Sequence, residues 1–254
     1  MALPAVAEPF SWTTFEHGAL LRCGALEDAA PHFFTTRQLG LSSDGLKTLS
    51  AAIGAKHGVV MAHQVHGCEV IVVRGDVPRP AERLSADVIV SDDPDVAVAV
   101  RAADCLPVLV ADSQTGSVAA IHAGWRGLAA GAIRSALEAM AREFGATAAH
   151  LRVAIGPHIG VCCYEVGPEL VDAFLAAGHP RVLVEQWFET RAGRLYLNLA
   201  SVARSQLEGA GIPAAQIHVA ALCTAMHLEV LTSYRAERET AGRIAGVIRA
   251  PTRV

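Results

Sequence analysis

The sequence predicts an α+β fold in which helices cover packed β-sheets, and it predicts one domain over residues 1–254. The 254 residues are 52% hydrophobic and 18% charged, which is the composition of a well-packed globular body. Short β-rich runs outnumber the helical segments along the chain. These runs also lack the regular strand–helix–strand alternation of a parallel sheet, so an α+β arrangement is favoured over α/β.

The strand predictions rest on short apolar, β-branched or aromatic runs that are bounded by turn residues. In chain order these runs are residues 20–23, 32–37 (leading to Gly40), 59–63, 69–73, 87–91, 96–102, 106–111, 117–121, 151–155, 217–222, 228–234 and 242–247. Two of them, 106–111 and 117–121, are continuously apolar and are joined by a polar segment that ends in Gly116. That pattern predicts a hairpin that is buried on both faces.

Three segments have apolar residues at helical spacing, and a glycine follows each of them. The predicted helices are residues 127–144, 168–177 and 198–208. Pro168 is suited to the first turn of the second helix, and Asn198 is suited to cap the third.

Charge and composition exclude several classes of partner. The formal net charge is −4, the sequence pI is about 6.2, and basic residues are scattered, so we expect neither a nucleic-acid nor a membrane partner. Residues 1–14 have no secretory leader pattern, and no uncharged apolar run reaches membrane-spanning length. The six cysteines do not form a disulfide framework. We therefore expect a soluble, cytoplasmic protein.

Three side chains of the kinds that bind zinc, His66, Cys105 and His122, lie beside glycines or at the start of an apolar run. If they meet in space, three protein ligands leave a fourth position open for water or substrate, as in a catalytic metal site. His122 also precedes a glycine-rich turn and a predicted helix start, where Arg126 adds a charge suited to an anion.

Carboxylates lie near these candidate ligands. Asp104 precedes Cys105 and is suited to accept a hydrogen bond from a ligating imidazole. A neighbouring carboxylate disfavours a thiolate, so Cys105 makes chemical sense as a thiolate beside a bound cation. Glu165 lies in a loop framed by glycines and is suited to general-base chemistry. Arg37 and Arg235 are further candidates for binding an anion.

Together, the segments 63–67, 103–106, 122–127, 155–167 and 233–247 resemble a family first described as polyphenol oxidase or laccase-domain proteins. That family is now regarded as zinc-dependent purine nucleoside phosphorylases with adenosine deaminase activity. The resemblance implies a four-layer α/β/β/α fold and a metal held by His66, Cys105 and His122. It also implies the phosphorolysis of adenosine, inosine or guanosine, with 5′-methylthioadenosine as a further substrate.

Residue roles within this site follow from the chemistry of the side chains, taken together with this resemblance. We predict catalytic roles for Cys105, Asp104 and Glu165, and contacts to purine nucleoside or phosphate from Arg37, Gln64, Arg126 and Arg235. Zinc is the expected metal, with copper as the alternative at the same ligands. The expected assembly is a monomer or a small homo-oligomer. The chain departs from the family at Arg235, which is followed by Ala236 where a second arginine is usual.

Three other functions stay open at this point. A multicopper laccase needs His-x-His pairs, and none occurs among the eleven histidines, so a polyphenol oxidase would have to use a single copper. A metal-free cysteine hydrolase using Cys105 and His122 is the second alternative. A zinc-stabilised interaction protein is disfavoured, because a closed structural site would need a fourth protein ligand.

Overall fold

The computed structural model describes residues 3–15, 18–39, 43–75 and 84–252, so Gly40 lies outside the described residues. The strands are β1 (Phe10–Phe15), β2 (Gly18–Cys23), β3 (His32–Thr35), β4 (Val59–Val60), β5 (Val70–Val73), β6 (Val88–Ser91), β7 (Ala97–Ala102), β8 (Leu106–Asp112), β9 (Val118–Ala123), β10 (Leu151–Ile155), β11 (Glu165–Val166), β12 (Phe188–Arg191), β13 (Arg194–Leu197), β14 (Ile217–Val219) and β15 (Ile244–Arg249). The helices are α1 (Gly24–Glu27), α2 (Ser43–Ile53), α3 (Trp125–Ala130), α4 (Ala132–Phe144), α5 (Glu169–Ala176), α6 (Arg181–Trp187), α7 (Leu199–Gly209) and α8 (Tyr234–Glu237). The α+β class is confirmed.

Two six-stranded mixed sheets form the centre of the molecule. The first has the order β1-β2-β3-β15-β7-β4, and the second has the order β14-β10-β8-β9-β6-β5. The predicted hairpin is β8 and β9, which pair antiparallel at the centre of the second sheet, and every residue of both strands is buried. A small sheet with the order β11-β13-β12 lies apart from these two.

Three apolar clusters separate four layers. Alternate residues of β8 face opposite ways: Val108 belongs to the cluster beneath α4 and α7, whereas Leu109 belongs to the cluster between the two sheets. A third cluster joins the outer face of the first sheet to α2 through Leu49 and Ile53. The implied α/β/β/α layering is therefore confirmed.

Two predicted elements are wrong in detail. Residues 228–233 form turns and irregular structure and not a strand, and Tyr234 begins α8. Their backbone groups bind elsewhere: the Val230 carbonyl accepts a hydrogen bond from the Arg37 N–H at 2.8 Å, and the Leu231 N–H donates to the His227 carbonyl. The predicted helix 127–144 starts earlier, at α3, and is interrupted by Gly131, whose φ of +88° ends α3 and precedes α4.

Several elements have no counterpart in the predictions, including β1, α2, α6 and the small sheet. The third predicted helix is confirmed as α7, and the Asn198 side chain accepts a hydrogen bond from the Ser201 N–H at 3.0 Å, as a cap requires. No helix among the described residues is both long and apolar enough to cross a membrane. The assignment of residues 1–254 to one domain stays a prediction.

Candidate metal centre and cavity

A buried carboxylate, Asp87, organises the loop that carries His66. Asp87 has no exposed surface and accepts hydrogen bonds from the backbone N–H groups of Val65 (3.1 Å), His66 (3.0 Å) and Gly67 (2.7 Å). His66 has a φ of +61°, an uncommon conformation for a residue with a side chain. Three convergent N–H bonds to one carboxylate supply the restraint that holds the loop in this shape.

The same carboxylate orients His122 near the end of β9. The Nδ1 of His122 lies 2.7 Å from Asp87 Oδ1, and the imidazole is almost fully buried. When Nδ1 donates to this carboxylate, Nε2 is left with its lone pair free to bind a cation. Carboxylate–histidine pairs of this kind fix the tautomer of metal-ligating histidines in general.

The hairpin register places Cys105 beside His122. Leu106 pairs with Ala123 across β8 and β9, so Cys105 and Gly124 lie at the same end of the hairpin. Nearest ligand atoms of His66, Cys105 and His122 lie within 4.8 Å of one another, and the two imidazole rings meet edge to face with centroids 4.9 Å apart. The structure therefore brings the predicted trio together.

Gly124 leaves room for this convergence. A Cβ atom at that position would lie 2.8 Å from Cys105 Sγ and 3.3 Å from His66 Cδ2, so a side chain there would push the ligands apart. Two imidazoles and one thiol form a donor set for zinc or copper, and the open side of the trio faces a cavity. These residues fit a metal ion on donor chemistry, spacing and histidine orientation.

The trio is also electrostatically coupled without a metal. Burial alone would raise the pKa of the Cys105 thiol, but hydrogen bonds with His122 and His66 outweigh it and lower that pKa to about 7. Burial would lower the pKa of His122, whereas its bonds to Asp87 and Cys105 raise it to about 9. For Asp87, burial is opposed by the His122 and Gly67 hydrogen bonds, and the pKa is lowered. The arrangement therefore favours a thiolate even before a cation binds.

A cavity of about 610 Å³ opens in front of the trio. Its charged lining is predominantly basic, with one carboxylate, Asp104, among the described lining residues; the arginines are Arg101, Arg126, Arg235, Arg238 and Arg243. Its aromatic lining residues are Trp125, Tyr164 and Tyr234. Arginines in a concave, partly desolvated site attract anions, and aromatic faces suit a planar heterocycle.

Of the predicted substrate-binding residues, Gln64, Arg126 and Arg235 line this cavity. The Arg126 guanidinium lies over the Trp125 ring at 4.5 Å. The Gln64 amide is already paired with the backbone of Arg101, donating to its carbonyl at 2.7 Å and accepting from its N–H at 2.9 Å. Gln64 therefore shapes the wall through fixed hydrogen bonds.

Asp104 lines the cavity but does not contact an imidazole in any hydrogen bond of the described residues. Its carboxylate accepts from the Thr224 hydroxyl and from the Arg235 backbone N–H, both at 2.6 Å. The imidazole acceptor is Asp87, so Asp104 instead fixes the segment that carries Arg235. The Arg235 guanidinium in turn donates to the Glu165 carbonyl and lies 5.2 Å from the Tyr164 ring centroid.

Two predicted site residues are not brought to the cavity lining. The Glu165 carboxylate pairs with Arg194 at 3.0 Å, on the small sheet. The Arg37 guanidinium donates to the carbonyl of Leu228 and binds the Glu237 carboxylate at 2.8 Å. Both side chains thus have structural partners, and their roles in substrate chemistry stay predictions.

The sequence analysis missed Asp87, Arg101 and Arg238. Asp87 precedes the buried strand β6, and a carboxylate at the edge of a continuous apolar run is the signal that could have identified it. The arginines have no local signal. Arg238 and Arg243 lie in the segment after α8, and both line the cavity.

Comparisons with known proteins show which family this chain resembles. The family model described as multi-copper polyphenol oxidoreductase laccase matches residues 43–251. A protein named purine nucleoside phosphorylase from Deinococcus radiodurans is 33% identical over 247 residues, covering 89% of this chain and 91% of that protein. A protein named adenosine deaminase RL5, from an unknown prokaryotic organism, is 34% identical over 181 residues, covering 68% of each.

A solved structure shares the fold. The crystal structure of the hypothetical protein YfiH from Bacillus licheniformis superposes with a TM-score of 0.84 at 28% sequence identity, covering 96% of this chain and 99% of that one. The names of the relatives support an enzyme. The family model covers most of the chain, and the chain belongs to the multi-copper polyphenol oxidoreductase laccase family.

Proposed function

We propose that this protein is a zinc-dependent purine nucleoside phosphorylase that also deaminates adenosine. The observation that supports this most is the placement of His66, Cys105 and His122 together in the lining of an arginine-lined cavity. This single cavity combines a set of metal ligands, arginines that suit phosphate, and aromatic surfaces that suit a purine nucleoside. The names of the relatives point to the same two activities.

His66, Cys105 and His122 would hold the metal, with Asp87 fixing the His122 tautomer. A bound zinc ion supplies Lewis-acid polarisation and lowers the pKa of a coordinated water. The protein's own side chains perform the remaining steps. Arg126 and Arg235 hold phosphate against the ribose, and their charges stabilise the anion as it attacks the anomeric carbon. The bond from that carbon to the purine nitrogen breaks, and the products are the free base and ribose 1-phosphate.

Substrate orientation comes from the aromatic residues and the fixed polar wall. Trp125 and Tyr164 offer ring faces to the purine, and burial raises the pKa of the Tyr164 phenol to about 12, so this hydroxyl remains a hydrogen-bond donor at neutral pH. Asp104 is the lining carboxylate among the described residues and is our candidate for moving protons at the base. Glu165 acts through its carbonyl, which positions Arg235.

The test is a nucleoside assay with zinc-replete protein, with and without phosphate. Release of adenine and ribose 1-phosphate that requires phosphate supports phosphorolysis, and inosine formed without phosphate supports deamination. Arg126→Ala should slow the phosphate-dependent reaction far more than Arg181→Ala, a control on the exposed surface of α6. No turnover of any purine nucleoside by the zinc-replete protein would refute the proposal.

One observation favours a second candidate, the metal-free cysteine hydrolase. Cys105, His122 and Asp87 form a thiol–imidazole–carboxylate chain, and the pKa of Cys105 is lowered to about 7, as a nucleophile requires. The relatives' names give it less support. Metal removal separates the two: a chelator should abolish nucleoside turnover, whereas a cysteine hydrolase would keep its activity without metal and lose it on alkylation of Cys105. A polyphenol oxidase would instead need copper and oxygen.

A further inference from the structure

Three cysteines form a second group of possible metal ligands, beside the cavity. The Sγ atoms of Cys162, Cys163 and Cys223 all lie within 4.8 Å of one another, and all three are free thiols. The proposed nucleoside chemistry uses none of them. Their position next to the site follows from their neighbours: Tyr164 lines the cavity, and the Thr224 hydroxyl binds Asp104.

Backbone hydrogen bonds fix the two segments that carry these thiols. The Thr224 N–H donates to the His158 carbonyl at 2.9 Å, which ties the Cys223 segment to the loop before Cys162. Within that loop, the Cys163 N–H donates to the Gly160 carbonyl at 3.0 Å. The sulfurs are therefore held together by the fold, and their proximity does not depend on mobile side chains alone.

Gly160 contacts the cysteine cluster and has no side chain that would fill it. Its N–H donates to Cys223 Sγ at 3.2 Å, an interaction that strengthens when the sulfur carries negative charge. A Cβ atom at this position would lie 3.1 Å from Cys162 Sγ and 3.3 Å from Cys223 Cβ. The absence of a side chain at Gly160 keeps the space between the sulfurs open.

The donor set is entirely sulfur. No histidine or carboxylate joins this group among the described residues. Soft thiolates select soft ions, and zinc in a structural site usually takes four protein ligands, whereas three thiolates suffice for copper(I). An ion bound at about 2.3 Å from each sulfur needs sulfur–sulfur separations of about 4 Å, so small χ1 adjustments bring the cluster to binding geometry.

We propose that Cys162, Cys163 and Cys223 form a second metal site, which binds copper(I). Access to this site is graded: Cys162 is exposed, Cys163 is half-buried and Cys223 is buried. An incoming ion exchanges its carrier ligands first at Cys162 and ends on all three thiolates, and the thiol protons pass to solvent. This site is separate from the His66 trio and does not depend on the nucleoside activity.

The test counts copper(I) ions under anaerobic, reducing conditions, in competition with a chromogenic copper(I) chelator. The four proteins are the wild type, His66→Ala, Cys162→Ser and the double variant. His66 and Cys162 are exposed, so both substitutions are compatible with folding. We expect two tightly bound copper(I) ions in the wild type, one in His66→Ala, one in Cys162→Ser and none in the double variant. Cys68→Ser, which removes a half-buried thiol outside both clusters, is the matched control and should keep two.

X-ray absorption on copper-loaded His66→Ala provides a second measurement, and it should show a sulfur-only shell. The proposal is overturned if His66→Ala binds no copper(I), if Cys162→Ser leaves the bound copper unchanged, or if nitrogen ligands appear in that shell. It is also overturned if these thiols remain paired as a disulfide in the reduced protein, as thiol titration would show.

Discussion

Asp87→Asn should weaken metal binding although Asp87 is not a ligand. The substitution preserves the shape of the side chain but replaces one carboxylate oxygen by an NH2 group. Asp87 Oδ1 accepts from the His66 N–H and from His122 Nδ1, and Oδ2 accepts from the N–H groups of Val65 and Gly67. Whichever way the amide turns, its NH2 group faces two groups that need an acceptor.

The expected losses of metal affinity and of folding free energy follow from these contacts. If the NH2 group faces His122, the imidazole must accept at Nδ1 and carry its proton on Nε2, the atom needed for the metal. Loss of such a partner typically lowers metal affinity 10–100-fold, equivalent to about 1.4–2.7 kcal/mol. Each buried N–H left without an acceptor costs a further 1–3 kcal/mol or so of folding free energy. We expect metal-free Asp87→Asn to be destabilised by about 3 kcal/mol.

The assay is competition for zinc with a chromogenic chelator, accompanied by urea unfolding of the metal-free protein. Asp104→Asn is the matched control, because the same substitution is made in a carboxylate that binds the Thr224 hydroxyl and the Arg235 N–H. We expect its zinc affinity to stay near that of the wild type and its KM for phosphate to rise. Equal losses of zinc affinity in the two variants, or none in Asp87→Asn, would refute the reasoning.

Three other predictions concern the trio and Arg37. Gly124→Ala should lower zinc affinity at least about tenfold, because its Cβ would lie 2.8 Å from Cys105 Sγ, whereas Gly209→Ala, with open space around it, should be neutral or slightly stabilising by equilibrium unfolding. Between pH 7 and 8 the metal-free wild type should change little in stability, because folding lowers the pKa of Cys105 to about 7 and raises that of His122 to about 9, and the two proton changes oppose each other. Cys105→Ala leaves only the His122 contribution, so its unfolding free energy should fall as the pH rises through this range; a flat profile would contradict the assigned coupling. Arg37→Ala should lower the melting temperature by about 3 °C through lost hydrogen bonds, and a large rise in the KM for phosphate without destabilisation would instead support its predicted role in substrate binding.

The proposed metal ligands could be identified from the sequence because each candidate residue type is uncommon and lies beside a structural signal. Cys105 comes directly before the first strand of the predicted hairpin, and His122 comes directly after the second strand and before two glycines. Hairpin pairing is a local property of the chain, so adjacency of these two residues followed from the sequence. His66 required a long-range contact, and it was predicted through the family resemblance.

Other residues could not be predicted, because tertiary contacts override their local pattern. Residues 228–234 are apolar enough for a strand, but Arg37 binds their carbonyl groups and removes them from any ladder. Asp104 looked like the partner of a ligating imidazole because it adjoins Cys105 in sequence. In the fold, Asp87 takes that place through β6, which pairs with β9 and carries the carboxylate to His122.

The site has a metal half, formed by His66, Cys105 and His122, and a substrate half, formed by the segment around Arg235. Different parts of the fold hold these two halves. The metal half rests on the second sheet, where Asp87 anchors the histidines. The substrate half rests on the segment around Arg235, which Asp104 anchors through the backbone N–H. Because no residue belongs to both anchors, Asp87→Asn and Asp104→Asn should affect the two proposed activities differently. Both activities should fall in Asp87→Asn, because both depend on the metal in the proposed function. In Asp104→Asn phosphorolysis, which needs phosphate held by arginines, should fall more than deamination. Equal losses of both activities in Asp104→Asn would mean that the halves act as one unit.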